Sequence, residues 1–310
     1  VLPRALTALT AAAQRALGLR RQEIAIGAWR VRVWRGGPPG AEPWLLLHGL
    51  GATSATFLPL VRRLLPDCEV VLPELSELGG TRGPREAPSV GEAAALVAAT
   101  AREVFDGRAP TVAGISLGGW IAVRAALAHP RFAARLLLVV PGGWRDQDWN
   151  RIGAMVRVES VEETRALWRA LFVAPPLWLR PARYALWLAY RSRAVAATLA
   201  TVREQDAYDA ADLARLELPV GLVWGAEDRL FRVEVGEAMA RALPRATLAR
   251  VPGAAHAVQW ERPREFVEAV EAFRAAFPLP ACAPQAQDGD GDPSAAQSER
   301  GGGRCPRPTT

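Results

Sequence analysis

Two hydrophobic rhythms alternate along the chain. Short apolar runs at Trp44–Leu47, Glu69–Leu72, Ala109–Ala113, Arg135–Val140, Pro219–Trp224 and Thr247–Val251 predict strands, several of them continuous enough for a sheet covered on both faces. Between these runs, apolar positions recur at helical spacing. Helices are predicted from near Ser54 and over Val90–Phe105, Trp120–Ala128, Val233–Leu243 and Pro263–Phe277. Ahead of them, Glu23–Ile26 and Trp29–Trp34 alternate apolar with polar around Gly27-Ala28, which reads as a hairpin. Strands alternating with helices predict an α/β protein with a mostly parallel central sheet flanked by helices. Its reactive loops belong at the C-terminal ends of the strands.

Three segments depart from this rhythm. From Trp144 to about Leu216 the strand-like runs stop, and apolar residues fall at helical spacing together with Trp149, Trp168, Trp178, Trp187, Tyr184 and Tyr190; an all-helical insertion is predicted. Val1 to Leu19 is rich in Ala and Leu but mixed with Thr, a poor secretory signal. It reads as an amphipathic helix lying on the fold or peripherally on a membrane surface. Beyond Phe277 the chain is polar, with little to bury. The expected organisation is an N-terminal helix (1–20), an α/β core (21–143 and 217–277), a helical insertion (144–216) and a disordered tail (278–310).

Composition narrows the class. The chain has 310 residues, half of them apolar, so a large core is available. Its net charge of +6 could suggest nucleic acid, but every basic residue is Arg, and the arginines are scattered among acids rather than gathered in a stripe. Nucleic-acid binding is not expected. Cys68, Cys282 and Cys305 show neither a disulfide framework nor metal-ligand spacing, so a reducing, cytoplasmic setting is expected. Asp288, Asp290, Asp292 and Glu299 fall at spacings used by calcium loops, yet Pro293 stands where the turn needs Gly. No metal or cofactor is expected, and no apolar run reaches membrane-span length.

The chemistry centres on Thr111-Val-Ala-Gly-Ile-Ser116-Leu-Gly-Gly-Trp120. Gly114, Ser116 and Gly118 form G-x-S-x-G between a buried strand and a buried helix, the setting in which a serine sits on a sharp, strained turn. A serine hydroxyl near neutral pH is a weak nucleophile and needs a base, for which histidine has the suitable pKa. Of the three histidines, His48 lies in a glycine loop that it is expected to brace. His129 ends a helix just before Pro130. His256, amid Gly253, Ala254, Ala255 and Ala257 after a strand, remains as the candidate base.

The motifs HGLG (48–51), GISLG (114–118), WGAEDRLF (224–231) and VPGAAHAVQWERP (251–263) occur in an order that resembles the α/β-hydrolase superfamily from roughly Arg21 to Phe277. The resemblance implies Ser116 as nucleophile, Asp228 as the carboxylate that orients His256, and the backbone N–H groups of Leu50 and Leu117 as the oxyanion hole. Asp146 and Asp148 stay open as alternative acids. The insertion then corresponds to a cap domain. Where many members read D-x-P-G-x-G-x-S, this chain has Leu72-Pro-Glu-Leu-Ser-Glu-Leu-Gly79, so no relative's substrate carries over.

A Ser rather than Asp nucleophile argues against dehalogenase and epoxide-hydrolase chemistry. The expectation is a serine hydrolase that cleaves a carboxylic ester of a small or medium apolar molecule through an acyl-enzyme. Carbon–carbon bond cleavage or thioester hydrolysis on the same triad are the alternatives, and a non-catalytic binding protein on the same fold is the alternative of another class. The insertion carries five of the eleven tryptophans, so its inner face is expected to be apolar. Its arginines share the segment with Asp and Glu and are expected on solvated faces.

Overall fold

A computed structural model describes residues 2–75, 79–179 and 182–279. Eight strands form one sheet in the order β1-β2-β4-β3-β5-β6-β7-β8. The first three strands are β1 (Arg20–Ile26), β2 (Trp29–Gly36) and β4 (Cys68–Pro73), joined by two antiparallel pairings; from β4 onward all pairings are parallel. They continue through β3 (Glu42–Leu47), β5 (Thr111–Ile115), β6 (Arg135–Val139), β7 (Val220–Gly225) and β8 (Ala246–Val251). The central strands β5, β6 and β7 are buried at every residue, because helices cover both faces.

The helices are α1 (Leu2–Ala16), α2 (Leu58–Leu64), α3 (Val90–Val104) and α4 (Leu117–Ala128), then α5 (Trp149–Val156), α6 (Val161–Leu171), α7 (Ala182–Tyr190), α8 (Arg193–Thr201) and α9 (Ala210–Ala214). After β7 come α10 (Val233–Ala242), α11 (Val258–Glu261) and α12 (Pro263–Ala276). The capping box predicts where α3 starts: Ser89 accepts from the Glu92 N–H while Glu92 reaches back to the Ser89 N–H. The helix expected near Ser54 begins instead as a 3-10 turn, Ser54–Phe57, because Pro59 permits α geometry only from the next turn onward. Helices α5 to α9 lie between β6 and β7 with no strand among the described residues there. The acids resembling a calcium loop, together with Cys282 and Cys305, lie outside the described residues.

The two ends of the sheet differ in chemistry. At the strand starts, Glu42 pairs with Arg135 and Arg274, and Glu69 pairs with Arg35 and Arg108, which closes the bottom of the core with ion pairs. Burial alone would raise the Glu69 carboxyl, but hydrogen bonds from Arg35, Arg108 and the Gly40 N–H bring it below the usual carboxylate range. At the strand ends, Leu47 sits opposite Gly114 and Val139 opposite Ile115, so the loops after β3, β5 and β6 converge.

Candidate active site

The turn after β5 can exist only because two of its neighbours lack side chains. A Cβ on Gly118 would fall 2.1 Å from the Leu47 carbonyl oxygen, and one on Gly114 would fall 2.5 Å from the Gly118 oxygen. Both contacts are with backbone and cannot relax. With those positions open, β5 turns into α4 through Ser116 at φ 53° and ψ −115°, a conformation rare for a residue with a side chain. The strain is held from outside: the Ser116 N–H donates to the Val139 carbonyl at 3.0 Å, and the Ser116 carbonyl accepts from Gly142 and Trp120, each at 3.0 Å. The loop across from it also approaches closely, since a Cβ on Gly49 would meet the Ser116 Cβ at 3.3 Å.

His256 follows β8 in a loop of small residues, and its Nδ1 lies 2.8 Å from Asp228 Oδ2. Both side chains are buried. The other oxygen, Asp228 Oδ1, accepts from the N–H groups of Leu230 at 2.7 Å and Phe231 at 2.9 Å, which fixes the carboxylate's rotation. With Nδ1–H donated to the carboxylate, Nε2 is left as an acceptor. The Phe231 ring meets the imidazole edge-on at 5.1 Å and limits its tilt. Of the acids left open by the sequence, Asp146 is exposed and Asp148 caps α5 by accepting the Arg151 N–H at 2.9 Å. Neither bonds to His256. Glu227, next to Asp228, is exposed and accepts from the Gly253 N–H at 3.2 Å.

Leu117 opens α4, so its N–H has no partner one turn back in the helix. Leu50 follows Gly49 over the serine. Both leucines line one cavity together with Val90, Ile121, Ala194 and Val195, an apolar space between the core and α8; no arginine among the described residues lines it. His48 braces the loop that carries Leu50. Its Nε2 accepts the Leu75 N–H at 2.9 Å, which leaves Nδ1–H to donate to the Gly49 carbonyl at 2.9 Å.

Several residues of this neighbourhood carry no motif. Gln14 of α1 donates to Ser54 Oγ at 2.6 Å, and the Ser54 N–H donates to the buried Glu74 carboxylate at 3.2 Å, a polar chain under the HGLG loop. The one available signal was a Glu directly after the apolar run of β4. The insertion, in turn, is fastened to each site loop. Arg151 donates to the carbonyls of Arg229 at 2.8 Å and Leu230 at 2.9 Å, next to Asp228. Arg151 is the exception among the described arginines of the insertion: two backbone carbonyls hold this guanidinium, while the others are exposed, as expected. Glu261 accepts from Val173 at 2.7 Å and Ala174 at 2.8 Å with one oxygen and from Ala255 at 2.7 Å with the other, joining the insertion to the histidine loop. Tyr190, at the end of α7, donates its hydroxyl to the Leu50 carbonyl at 3.3 Å, and its ring occupies the space where a Gly51 Cβ would lie.

The profile of the alpha/beta hydrolase family matches residues 44–269. The chain belongs to this family. Among curated proteins it is similar to the pimeloyl-[acyl-carrier protein] methyl ester esterase of Chromobacterium violaceum, 28% identical over 246 residues that cover 73% of this chain and 91% of the relative. Among solved structures it is similar to a membrane phospholipase A described as a bacterial virulence factor, with TM-score 0.77, 27% identity, and coverage of 90% of this chain and 93% of the other. The 2-hydroxy-6-oxo-6-phenylhexa-2,4-dienoate hydrolase from Rhodococcus shares the fold alone, at TM-score 0.71 and 18% identity, covering 84% and 99% of the two chains. As a member of the family, the chain is a hydrolase, and its sheet of eight mostly parallel strands is the family's fold.

Proposed function

We propose that this hydrolase of the alpha/beta family cleaves carboxylic esters of small or medium apolar molecules through an acyl-enzyme. The observation that carries the reading is the buried His256–Asp228 pair at 2.8 Å, with the free carboxylate oxygen locked by two N–H groups, at the same sheet end as the strained Ser116. In this reading His256 Nε2 takes the Ser116 proton as Oγ attacks the ester carbonyl, and Asp228 stabilises the resulting imidazolium. The N–H groups of Leu50 and Leu117 receive the oxyanion. The proton then passes to the leaving alcohol, and water activated by the same imidazole releases the acid. Residues 144–216 act as a cap over the core formed by 21–143 and 217–277.

The apolar lining between α8 and α3/α4 favours an apolar acyl group over a charged one. The two more similar relatives, an esterase and a phospholipase A by name, support ester chemistry. Carbon–carbon and thioester cleavage use the same triad and are the second reading, for which the likeness to the dienoate hydrolase gives only a shared fold. A fluorophosphonate probe tests the proposal together with a series of p-nitrophenyl esters and matched thioesters. Wild type should take the label and turn over esters, and Ser116→Ala should do neither. A folded wild type that takes no label would identify a binding protein instead.

A further inference from the structure

Buried polar side chains that the triad does not use gather at one place. Gln14, His48, Ser54, Glu74, Thr81 and Gln259 are all buried, and each bonds into the 3-10 turn Ser54–Phe57 or into Glu74 and Leu75, which follow β4. A polar group costs free energy to bury unless it is paired, so packing alone gives no reason for such a cluster. The neighbouring backbone gives one. Leu50, four residues ahead of Ser54, stands between Gly49 and Gly51, the latter at φ 67°. Glycines on both sides leave the peptide that carries the Leu50 N–H free to rotate. An oxyanion donor stabilises the transition state only when it is already aimed, so the aim has to be held from outside the loop.

Three supports reach the turn from three parts of the chain. The Ser54 N–H donates to Glu74 Oε2 at 3.2 Å, and the Ser54 hydroxyl donates to Glu74 Oε1. Glu74 Oε2 also lies 3.5 Å from Nε2 of His48, whose other ring nitrogen bonds the Gly49 carbonyl. The carboxylate has no room to swing away: the Gly79 backbone closes on it, so that a Cβ there would fall 2.2 Å from Oε2, and Thr81 holds the Glu74 carbonyl. From α1, Gln14 Nε2 donates to Ser54 Oγ at 2.6 Å, which leaves the hydroxyl proton for Glu74. From α11, just beyond His256, Gln259 Nε2 donates to Thr56 Oγ1 at 3.0 Å. Gln14, Ser54 and Glu74 thus form a chain with one direction, each donor facing one acceptor, and Gln14 belongs to none of the motifs that mark the site.

We propose that Glu74 and Gln14 are positioning residues for the oxyanion loop, acting through Ser54, and that α1 is by this route a working part of the hydrolytic site. The proposal rests on the acyl-enzyme reading above, in which the Leu50 N–H receives the oxyanion.

The test measures kcat and KM for a p-nitrophenyl ester, counted per serine labelled by a fluorophosphonate, and the affinity for an alkylboronic acid, whose tetrahedral adduct on Ser116 sets an oxygen at the oxyanion N–H groups. Ser54→Ala should lower kcat on the order of tenfold and Gln14→Met about threefold, with KM nearly unchanged, because an aimed N–H acts on the transition state rather than on the bound ester. Boronic acid affinity should weaken by the same factors. The double variant Gln14→Met/Ser54→Ala should match Ser54→Ala, since Gln14 acts only through that hydroxyl. Glu74→Gln sets an NH2 against one of the two Ser54 donors and should cost at least as much as Ser54→Ala; should it fail to fold, Ser54→Ala reads the same bond. Thr100→Val is the control. It removes an equally buried hydroxyl that bonds the Leu96 carbonyl within α3, and it should move the melting temperature alone.

Unaltered kcat and boronic acid affinity in Ser54→Ala, additive losses in the double variant, or an equal loss of kcat in Thr100→Val each overturns the positioning role, while label and turnover in wild type still uphold the acyl-enzyme reading. A folded wild type that takes no label overturns both.

Discussion

Replacing Asp228 by Asn separates the role of this side chain in the fold from its role in the chemistry. Oδ1 accepts two backbone N–H groups, at 2.7 and 2.9 Å, and Oδ2 faces His256 Nδ1 at 2.8 Å. An asparagine keeps one oxygen. Setting its NH2 against the two N–H groups would leave buried donors facing a donor, at about 1–3 kcal/mol for each unsatisfied group. The amide oxygen therefore stays with Leu230 and Phe231, and the NH2 turns to His256. The imidazole must then accept at Nδ1 and carry its proton on Nε2, where it cannot take the proton of Ser116. By comparison with the known effect of the wrong tautomer in a serine triad, kcat should fall about 10⁴-fold, which is about 5 kcal/mol of transition-state stabilisation. The melting temperature should stay within a few degrees of wild type, because the hydrogen bonds that shape the loop survive. Asp228→Ala is the less clean variant, since it strands both N–H groups. The assay is kcat for a p-nitrophenyl ester across the pH range, with a melting curve for each protein. A fall of less than a hundredfold in Asp228→Asn, or an equal fall in Asp146→Asn, would refute the assignment of Asp228.

Three further outcomes follow from named contacts. Tyr190→Phe removes the hydroxyl that holds the Leu50 carbonyl at 3.3 Å; burial pushes this phenol above its ordinary value, so it remains a donor throughout the assay range. A bond worth about 0.5–1.5 kcal/mol should appear as a fall of about two- to tenfold in kcat with KM and melting temperature nearly unchanged, and an unaltered kcat would show that Tyr190 does not position the loop. Glu69 has a folded-state pKa below its unfolded value, so its contribution to stability is present above the ordinary carboxylate range and is lost as the pH falls through the depressed value. Denaturant melts should therefore find Glu69→Gln less stable than wild type at neutral pH, with the gap closing in acid; a gap that widens in acid would contradict this. For a matched pair of esters, one neutral and one with a distal carboxylate, kcat/KM should favour the neutral ester at both low and high salt, because no arginine among the described residues lines the cavity beside Leu50 and Leu117. A salt-sensitive preference for the charged ester would place an arginine at the substrate.

What the sequence determined by itself is local. Buried runs such as Leu136–Val139 and amphipathic stretches such as α12 have no other way to hide their apolar atoms, so strand and helix follow from periodicity. The requirement for Gly114 and Gly118 around Ser116 was equally legible, because a strained turn needs small neighbours whatever the surroundings. Only tertiary structure shows which acid of the same local kind meets His256. Asp146, Asp148 and Asp228 all follow strand ends, and the pairing of Asp228 with His256 comes from the approach of β7 to β8, which brings their loops together. The chain Gln14–Ser54–Glu74 and the fastenings by Arg151, Glu261 and Tyr190 join residues from 20 to 140 positions apart. A polar side chain can bond wherever the fold delivers a partner, so no local pattern marks those residues, whereas an apolar run must be buried and thereby announces itself.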